Sequence, residues 1–203
     1  MTAILKVDTI QDTSGNNIIN ENAGTVTIGK AGNTTNIVGT LQNDGAALIG
    51  GIENITTFRM TTNFTLASGT NQINTNWSQA GASLGSLVTE SSGTFSFPQT
   101  GIYMIAVNFA LYRIQSSSAY IGLRIYTTND NSTYDFNTIT YTHIGDVADQ
   151  HSSLYNEFIF DVTDISNDKI KIYYENQNAS NIRLIGNSGR EQTYVRFIRL
   201  GDT

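Results

Sequence analysis

The chain of 203 residues has no cysteine, one proline and one tryptophan. Without cysteine there can be no disulfide, and no thiolate can serve as nucleophile or metal ligand. Charged residues reach only 14 %, and the formal net charge is −6. That balance leaves no basic footprint for nucleic acid or for an anionic membrane surface. No apolar run is long enough to cross a bilayer as a helix. The opening residues, MTAILKVDTIQD, lack a basic stretch followed by a long apolar core, which predicts no secretory signal. No segment keeps helical apolar spacing over three turns, so helices are excluded as the main element.

Asparagine, threonine and serine are abundant, with 18 glycines among them. This mixture suits strands with uncharged polar faces joined by many turns. Two parts are expected. Residues 1–51 are polar and punctuated by glycine, with Ile28-Gly29, Val38-Gly39 and Ile49-Gly50 spaced by 10 and 11 residues. A β-branched residue followed by glycine fits a strand ending in a tight turn. A segment this poor in large apolar residues does not fold alone. Three copies around a common axis would pool Ile4, Leu5, Val7, Ile10, Ile18, Ile19, Val26, Ile28, Ile37, Val38 and Leu41 into one thin core, as in a fibre shaft. A disordered leader is the other reading.

The boundary falls in DGAALIGGI, residues 44–52. Over 52–203, strands are predicted at Thr57–Leu66, Ser86–Glu90, Gly93–Phe97, Gly101–Arg113, Ala119–Thr127, Asn137–His143, Ser153–Thr163, Asp168–Glu175, Ile182–Ile185 and Thr193–Leu200. Many short strands with polar turns indicate a sandwich or barrel. Two of them are apolar on both faces. In GIYMIAVNFALYR, Tyr103, Ile105, Val107, Phe109 and Leu111 share one face, while Met104, Ala106 and Tyr112 lie on the other. In TYVRFIRL, Val195 and Phe197 oppose Tyr194, Arg196, Ile198 and Leu200. An antiparallel sandwich normally leaves one face to water. A second apolar face predicts a covering subunit, with Met104, Ala106, Tyr194, Arg196, Ile198 and Leu200 at the contact. Arg196 interrupts that face and needs a carboxylate or carbonyl partner there.

GTFSFPQTGIYMIAVNFAL resembles the strand pair of the tumour necrosis factor and complement globular-head superfamily: an aromatic strand, a proline turn, then Gly-(Ile/Val)-Tyr and a long apolar strand. DVTDISNDKIKIYYENQ is similar to that family's turn and following strand, with Asn167-Asp168 in place of Gly-Asp. TYVRFIRLGDT resembles its closing strand, without the usual Ser-x-Phe-x-Gly form. The resemblance covers about residues 55–203 and implies a ten-strand jelly roll assembled as a trimer. ILKVDTIQDTSGNN and TVTIGKAGNTTNIVGTL resemble the leader of fibre and structural proteins of tailed bacteriophages, cyanophages in particular.

Candidate chemistry is sparse. THIGDVADQHSS gathers His143, Asp146, Asp149 and His151, residue types that suit zinc but at no dedicated zinc spacing. YTTNDNSTYD places Asp130, Asn131 and Asp135 together without the calcium-loop spacing or its closing glutamate. No Gly-x-Ser-x-Gly elbow is present. Tyr120, Tyr126, Tyr134, Phe136 and Tyr141 lie in or beside polar loops, where aromatic faces stack on sugars or anchor contacts. Trp77 is either similar or a plug at the end of the sandwich.

The sequence therefore predicts an all-β protein: a jelly-roll knob over 52–203 preceded by a short shaft or anchor over 1–51, trimeric. The expected role is a non-enzymatic virion fibre protein, on tail or capsid, with no cofactor and no metal. Its expected partners are its own copies, other virion proteins through the N-terminal segment, and a host-surface glycan or protein. Nucleic acid and membrane insertion are not expected. Tyr134, Phe136 and His143 are the receptor-contact candidates. Capsid decoration is the alternative role, and a polysaccharide-degrading spike the third.

Overall fold

The computed structural model describes residues 9–11, 13, 17–22, 25–28, 42–43, 46–47, 52, 54–178 and 182–203. The chain divides into two compact units, Met1–Gly50 and Gly51–Thr203. In the first, β1 (Thr9–Gln11), β2 (Asn17–Asn22) and β3 (Thr25–Ile28) form an antiparallel meander, and β4 (Gln42–Asn43) pairs with β5 (Ala46–Ala47). Ile10 stands opposite Ile19, and Ile19 opposite Ile28. All three are exposed. Ile4, Leu5, Val7, Ile37, Val38 and Leu41 lie outside the described residues, as do Gly29, Gly39 and Ile49-Gly50.

The second unit holds β6 (Asn54–Met60), β7 (Phe64–Thr65), β8 (Gly69–Gln72), β9 (Trp77–Leu84), β10 (Thr89–Ser91), β11 (Thr94–Ser96), β12 (Gly101–Arg113), β13 (Ser118–Thr128), β14 (Asp135–Ile144), β15 (His151–Val162), β16 (Lys169–Asn176), β17 (Ile182–Leu184) and β18 (Tyr194–Gly201). They form two antiparallel sheets. In the first, β12 carries β15 along one edge from Gly101 to Tyr112. Its other edge is shared by β18 and β17, and β6 and β9 continue beyond β18. The second sheet runs β10-β11-β16-β13-β14, with β8 also on β16. Strands that follow one another in sequence are largely split between the two sheets, which is the jelly-roll connection.

Strand alternation fills the space between the sheets. Tyr103, Ile105, Val107, Phe109 and Leu111 of β12 are fully buried, facing Ile121, Leu123 and Ile125 of β13 and Ile170, Ile172 and Tyr174 of β16 within one core. An aromatic cluster closes one end. Phe95 meets Phe58 and Phe197, each at 5.3 Å between ring centres, and Trp77 at 5.9 Å. Trp77 is thus core, with Nε1 donating to the Ile73 carbonyl at 3.1 Å.

The Pro-turn-Gly-Ile-Tyr stretch has a local cause. Gly101 has φ +140°, and a Cβ there would come within 2.5 Å of Arg199 Nε and of the Gly201 carbonyl oxygen. The Arg199 side chain crosses this glycine to donate to the Thr100 carbonyl at 3.0 Å. The Tyr103 hydroxyl donates back to the Gln99 carbonyl at 3.1 Å, clamping the turn from inside.

The strand boundaries needed three corrections. The single strand expected over Thr57–Leu66 is two, β6 and β7, which pair with different neighbours, β18 and β17. The strand expected at Ser86–Glu90 starts later, at Thr89. β8 and β9 were not anticipated: GTNQ and WSQAGASL carry glycine and small polar residues and show no apolar alternation.

Candidate functional site

The outer face of the first sheet is built by pairing register. Ile159 of β15 stands opposite Met104 of β12, Met104 opposite Ile198 of β18, Ile198 opposite Ile55 of β6, and Ile55 opposite Leu84 of β9. Five apolar side chains therefore line up across five strands. Ile159 is 53 % exposed and Leu84 47 % exposed, and the three between them are half-buried by their neighbours. The row Tyr155–Asn108–Tyr194–Arg59–Ser78 runs alongside, with Tyr155 exposed and Tyr194 half-buried. Leu200 is exposed at the end of β18.

Between these rows lies Glu157–Ala106–Arg196–Thr57–Ala80. Ala106 is already buried within the single chain, flanked by Glu157 and Arg196. Arg196 is satisfied inside the chain: Nη2 donates to Glu191 Oε2 at 2.7 Å and Nε to Thr57 Oγ1 at 3.0 Å. Its guanidinium also lies 5.0 Å from the Tyr194 ring centre.

The outer face of the second sheet is aromatic and cationic. Residues 124–126 of β13 and 171–175 of β16 bring Arg124 opposite Tyr173 and Tyr126 opposite Lys171. Tyr126 and Tyr173 rings lie 4.4 Å apart. Phe136 joins them because β14 bulges: Ile125 pairs with Thr138 while Tyr126 pairs with Phe136, leaving Asn137 extra. Without that bulge Phe136 would point the other way. Asn137 instead donates from Nδ2 to Thr127 Oγ1 at 2.7 Å. Phe136 is 46 % exposed, 5.5 Å from Tyr126 and 4.8 Å from the Arg124 guanidinium carbon.

Tyr134 is less open than its polar surroundings suggested. It is half-buried, with Lys171 Nζ 3.8 Å from its ring centre. Burial pushes its phenol up, opposed by a hydrogen bond with Thr94. His143 is exposed on β14, seven residues beyond Phe136. At strand rise this separates them by about 20 Å, so a small ligand does not reach both.

The loop carboxylates serve turns. Asp130 Oδ1 accepts from Thr133 N at 2.7 Å, Ser132 N at 2.8 Å and Thr128 Oγ1 at 2.8 Å. The backbone donors at Thr133 and Ser132 hold its carboxyl far below the usual range. Asp146 pairs with Arg113, the Tyr112 hydroxyl donates to Asp149 Oδ1 at 2.5 Å, and His151 packs edge-on against the Tyr112 ring at 5.0 Å. That loop is braced on the end of β12. Among the described residues no three His, Asp or Glu side chains converge into a metal site.

Solved structures with this arrangement exist. Murine APRIL at pH 8.5 superposes with a TM-score of 0.52 at 14 % identity, over 72 % of this chain and 98 % of that one. Eiger TNF from S. frugiperda gives a TM-score of 0.55 at 14 % identity, over 75 % of this chain and 94 % of that one. The second unit has a tumour-necrosis-factor-type jelly-roll fold. At this identity the likeness fixes the fold alone. No protein-family model and no curated protein matches the sequence.

Sequence reasoning passed over Arg124, Lys171, Tyr173 and Glu175, which build the outer face of the second sheet. The alternation Lys171-Tyr173-Glu175 against Ile170-Ile172-Tyr174 was the available signal.

Proposed function

We propose that this chain is a homotrimeric, non-enzymatic fibre protein of a tailed-bacteriophage virion. In this reading the knob packs against its own copies through the outer face of the first sheet. The second sheet and its loops, with Tyr134, Phe136 and His143, face the host surface. The N-terminal unit joins the particle by contact with other virion proteins. The observation that carries the reading is the row Ile159–Met104–Ile198–Ile55–Leu84, an apolar stripe across a sheet face that a monomer would leave to water. The aligned, exposed Ile10, Ile19 and Ile28 of the first unit pose the same problem and have the same remedy. The tumour-necrosis-factor-type fold and the phage-like leader motifs agree with it.

The test has two arms. Sedimentation equilibrium of the whole chain should return three times the monomer mass of 22.2 kDa; a monomer at micromolar concentration overturns the assembly. Immunogold labelling of particles should place the knob on the tail, and free protein should block adsorption. Labelling of the capsid lattice instead replaces host binding by decoration. The absence of the protein from purified particles overturns the virion role.

A further inference from the structure

At the end of the second sheet away from Phe136, Tyr120, Tyr141 and Glu175 line an open cleft of about 430 Å³. Its geometry follows from two local features of β13. First, Tyr120 directly precedes the buried Ile121, so strand alternation turns it outward, while the extra residue that β13 carries between Ser118 and Ile121 turns Ser118 inward instead. Second, Gly122 sits opposite both Tyr141 and Glu175. A Cβ on Gly122 would come within 2.9 Å of Tyr141 Cε1, so the tyrosine ring rests on bare backbone. The Tyr120 and Tyr141 rings then meet at 5.9 Å and 89°, giving the cleft two perpendicular apolar walls.

Its polar corner is fixed. Glu175 Oε2 accepts from the Tyr141 hydroxyl at 2.8 Å and from Arg124 Nη2. Glu175 Oε1 has no partner among the described residues, and the side chain remains 18 % exposed. One oxygen is thus held and the other is open to a donor from outside. The Arg124 guanidinium balances the carboxylate, so the corner has hydrogen-bonding capacity without net charge.

We infer that the Tyr120–Tyr141–Glu175 cleft is a binding site for a neutral pyranose sugar. The inference gives the adhesion reading its ligand class and rests on that reading only for its biological role. A pyranose presents a C–H face that packs on an aromatic ring and an edge of hydroxyls that donate to a carboxylate. The cleft offers both: two tyrosine rings at 89° to each other and the open Oε1 of Glu175. Its size lies within the ~300–1,000 Å³ usual for small-ligand sites. An anionic sugar would meet Glu175 and the chain's net charge of −6. A quaternary ammonium, the other class that aromatic walls attract, would compete with Arg124 for the same carboxylate.

Saturation-transfer NMR on the full chain tests this. The probes are the methyl glycosides of glucose, galactose, mannose and N-acetylglucosamine, with choline chloride and glucuronate as charged controls. At least one neutral glycoside should receive saturation, chiefly at the protons of one ring face. Tyr120→Ala should weaken its binding about tenfold with the melting temperature nearly unchanged, because Tyr120 is 38 % exposed. Tyr141→Phe keeps the wall and should retain most of the binding, which separates loss of the site from loss of the fold. No transfer to any neutral glycoside, unchanged binding in Tyr120→Ala, or preference for choline or glucuronate overturns the inference. Adsorption assays on the same variants keep the two readings apart. Sugar binding without any role in adsorption leaves this site standing and removes host adhesion through it. Adsorption with no sugar binding does the reverse.

Discussion

Arg196 on β18 donates to Glu191, five residues earlier in the chain, at 2.7 Å, on a sheet face that also carries Met104, Ile198, Ile55 and Tyr194. The ion pair is partly exposed in the single chain, with side-chain exposures of 36 % and 28 %. As a surface pair it contributes no more than about 1 kcal/mol. Covering it with another subunit changes that. A guanidinium stripped of its carboxylate at a closed interface is far more costly than a pair removed whole. Glu191→Ala should therefore weaken the trimer more than the double variant Glu191→Ala with Arg196→Met does, by about 1–2 kcal/mol after discounting for residual solvent. Sedimentation of the two variants measures the difference. Equal effects, or the reverse order, would show that this face stays open to water.

Ile198→Asp probes the same face without touching the core. Ile198 projects away from Val195 and Phe197, which are buried between the sheets. A carboxylate there costs little in a monomer, where Ile198 is only half-buried, and is intolerable between apolar surfaces. The variant should sediment as a monomer while keeping the β-sheet circular dichroism of the native chain. A trimer of unchanged stability would mean that the stripe from Ile159 to Leu84 is not the contact.

Gly101→Ala addresses the turn that made the fold legible. At φ +140° an L-residue is strained, and its Cβ would run into Arg199 and the Gly201 carbonyl. Strain of this kind costs about 1–3 kcal/mol, and displacing Arg199 from the Thr100 carbonyl adds a lost hydrogen bond. The melting temperature should fall by several degrees, roughly 2–4 °C per kcal/mol at this chain length. No change in melting would show that the segment relaxes around the methyl group.

Where alternation was strong the sequence could be read directly. The Gly101–Arg113 strand and its two faces were expected as observed, because every second residue is large and apolar over the whole stretch. Similar signals in Ala119–Thr127, Ser153–Thr163 and Asp168–Glu175 marked other long strands and indicated a sandwich or barrel; the jelly roll itself came from the resemblance to the tumour necrosis factor and complement globular-head superfamily. What failed shared one cause: residues whose neighbours are distant in sequence. β8 and β9 are strands because β16 and β6 supply partners, and nothing apolar within them says so. The site was less legible than the fold. Phe136 faces outward through a bulge at Asn137, and a single inserted residue leaves no compositional trace. Tyr134 was expected among open loop residues, yet Lys171 arrives from another strand to cover it.

The last prediction concerns acid. Burial by itself pushes the Glu175 carboxyl up, but hydrogen bonds from Arg124 and Tyr141, with the charge of Arg124, outweigh it and hold the group below its ordinary value of 4.5. Asp130 and Asp164 are held low as well, chiefly by backbone N–H donors at Thr133 and Ser132 for the one and at Ser166 for the other. In each case the folded chain binds the proton less readily than the unfolded chain. The stabilisation is therefore complete above the unfolded values, 4.5 and 3.8, and is lost as pH falls through the lower folded ones. The melting temperature should change little from these groups between about pH 7 and pH 5 and decline below about pH 4. Glu175→Gln isolates one contribution, since glutamine keeps the size but cannot ionise. It should melt below the native chain at neutral pH, and the gap should narrow steadily as both are acidified. A gap that stays constant or widens in acid would mean that the Arg124–Glu175 pair does not hold the cleft corner in solution.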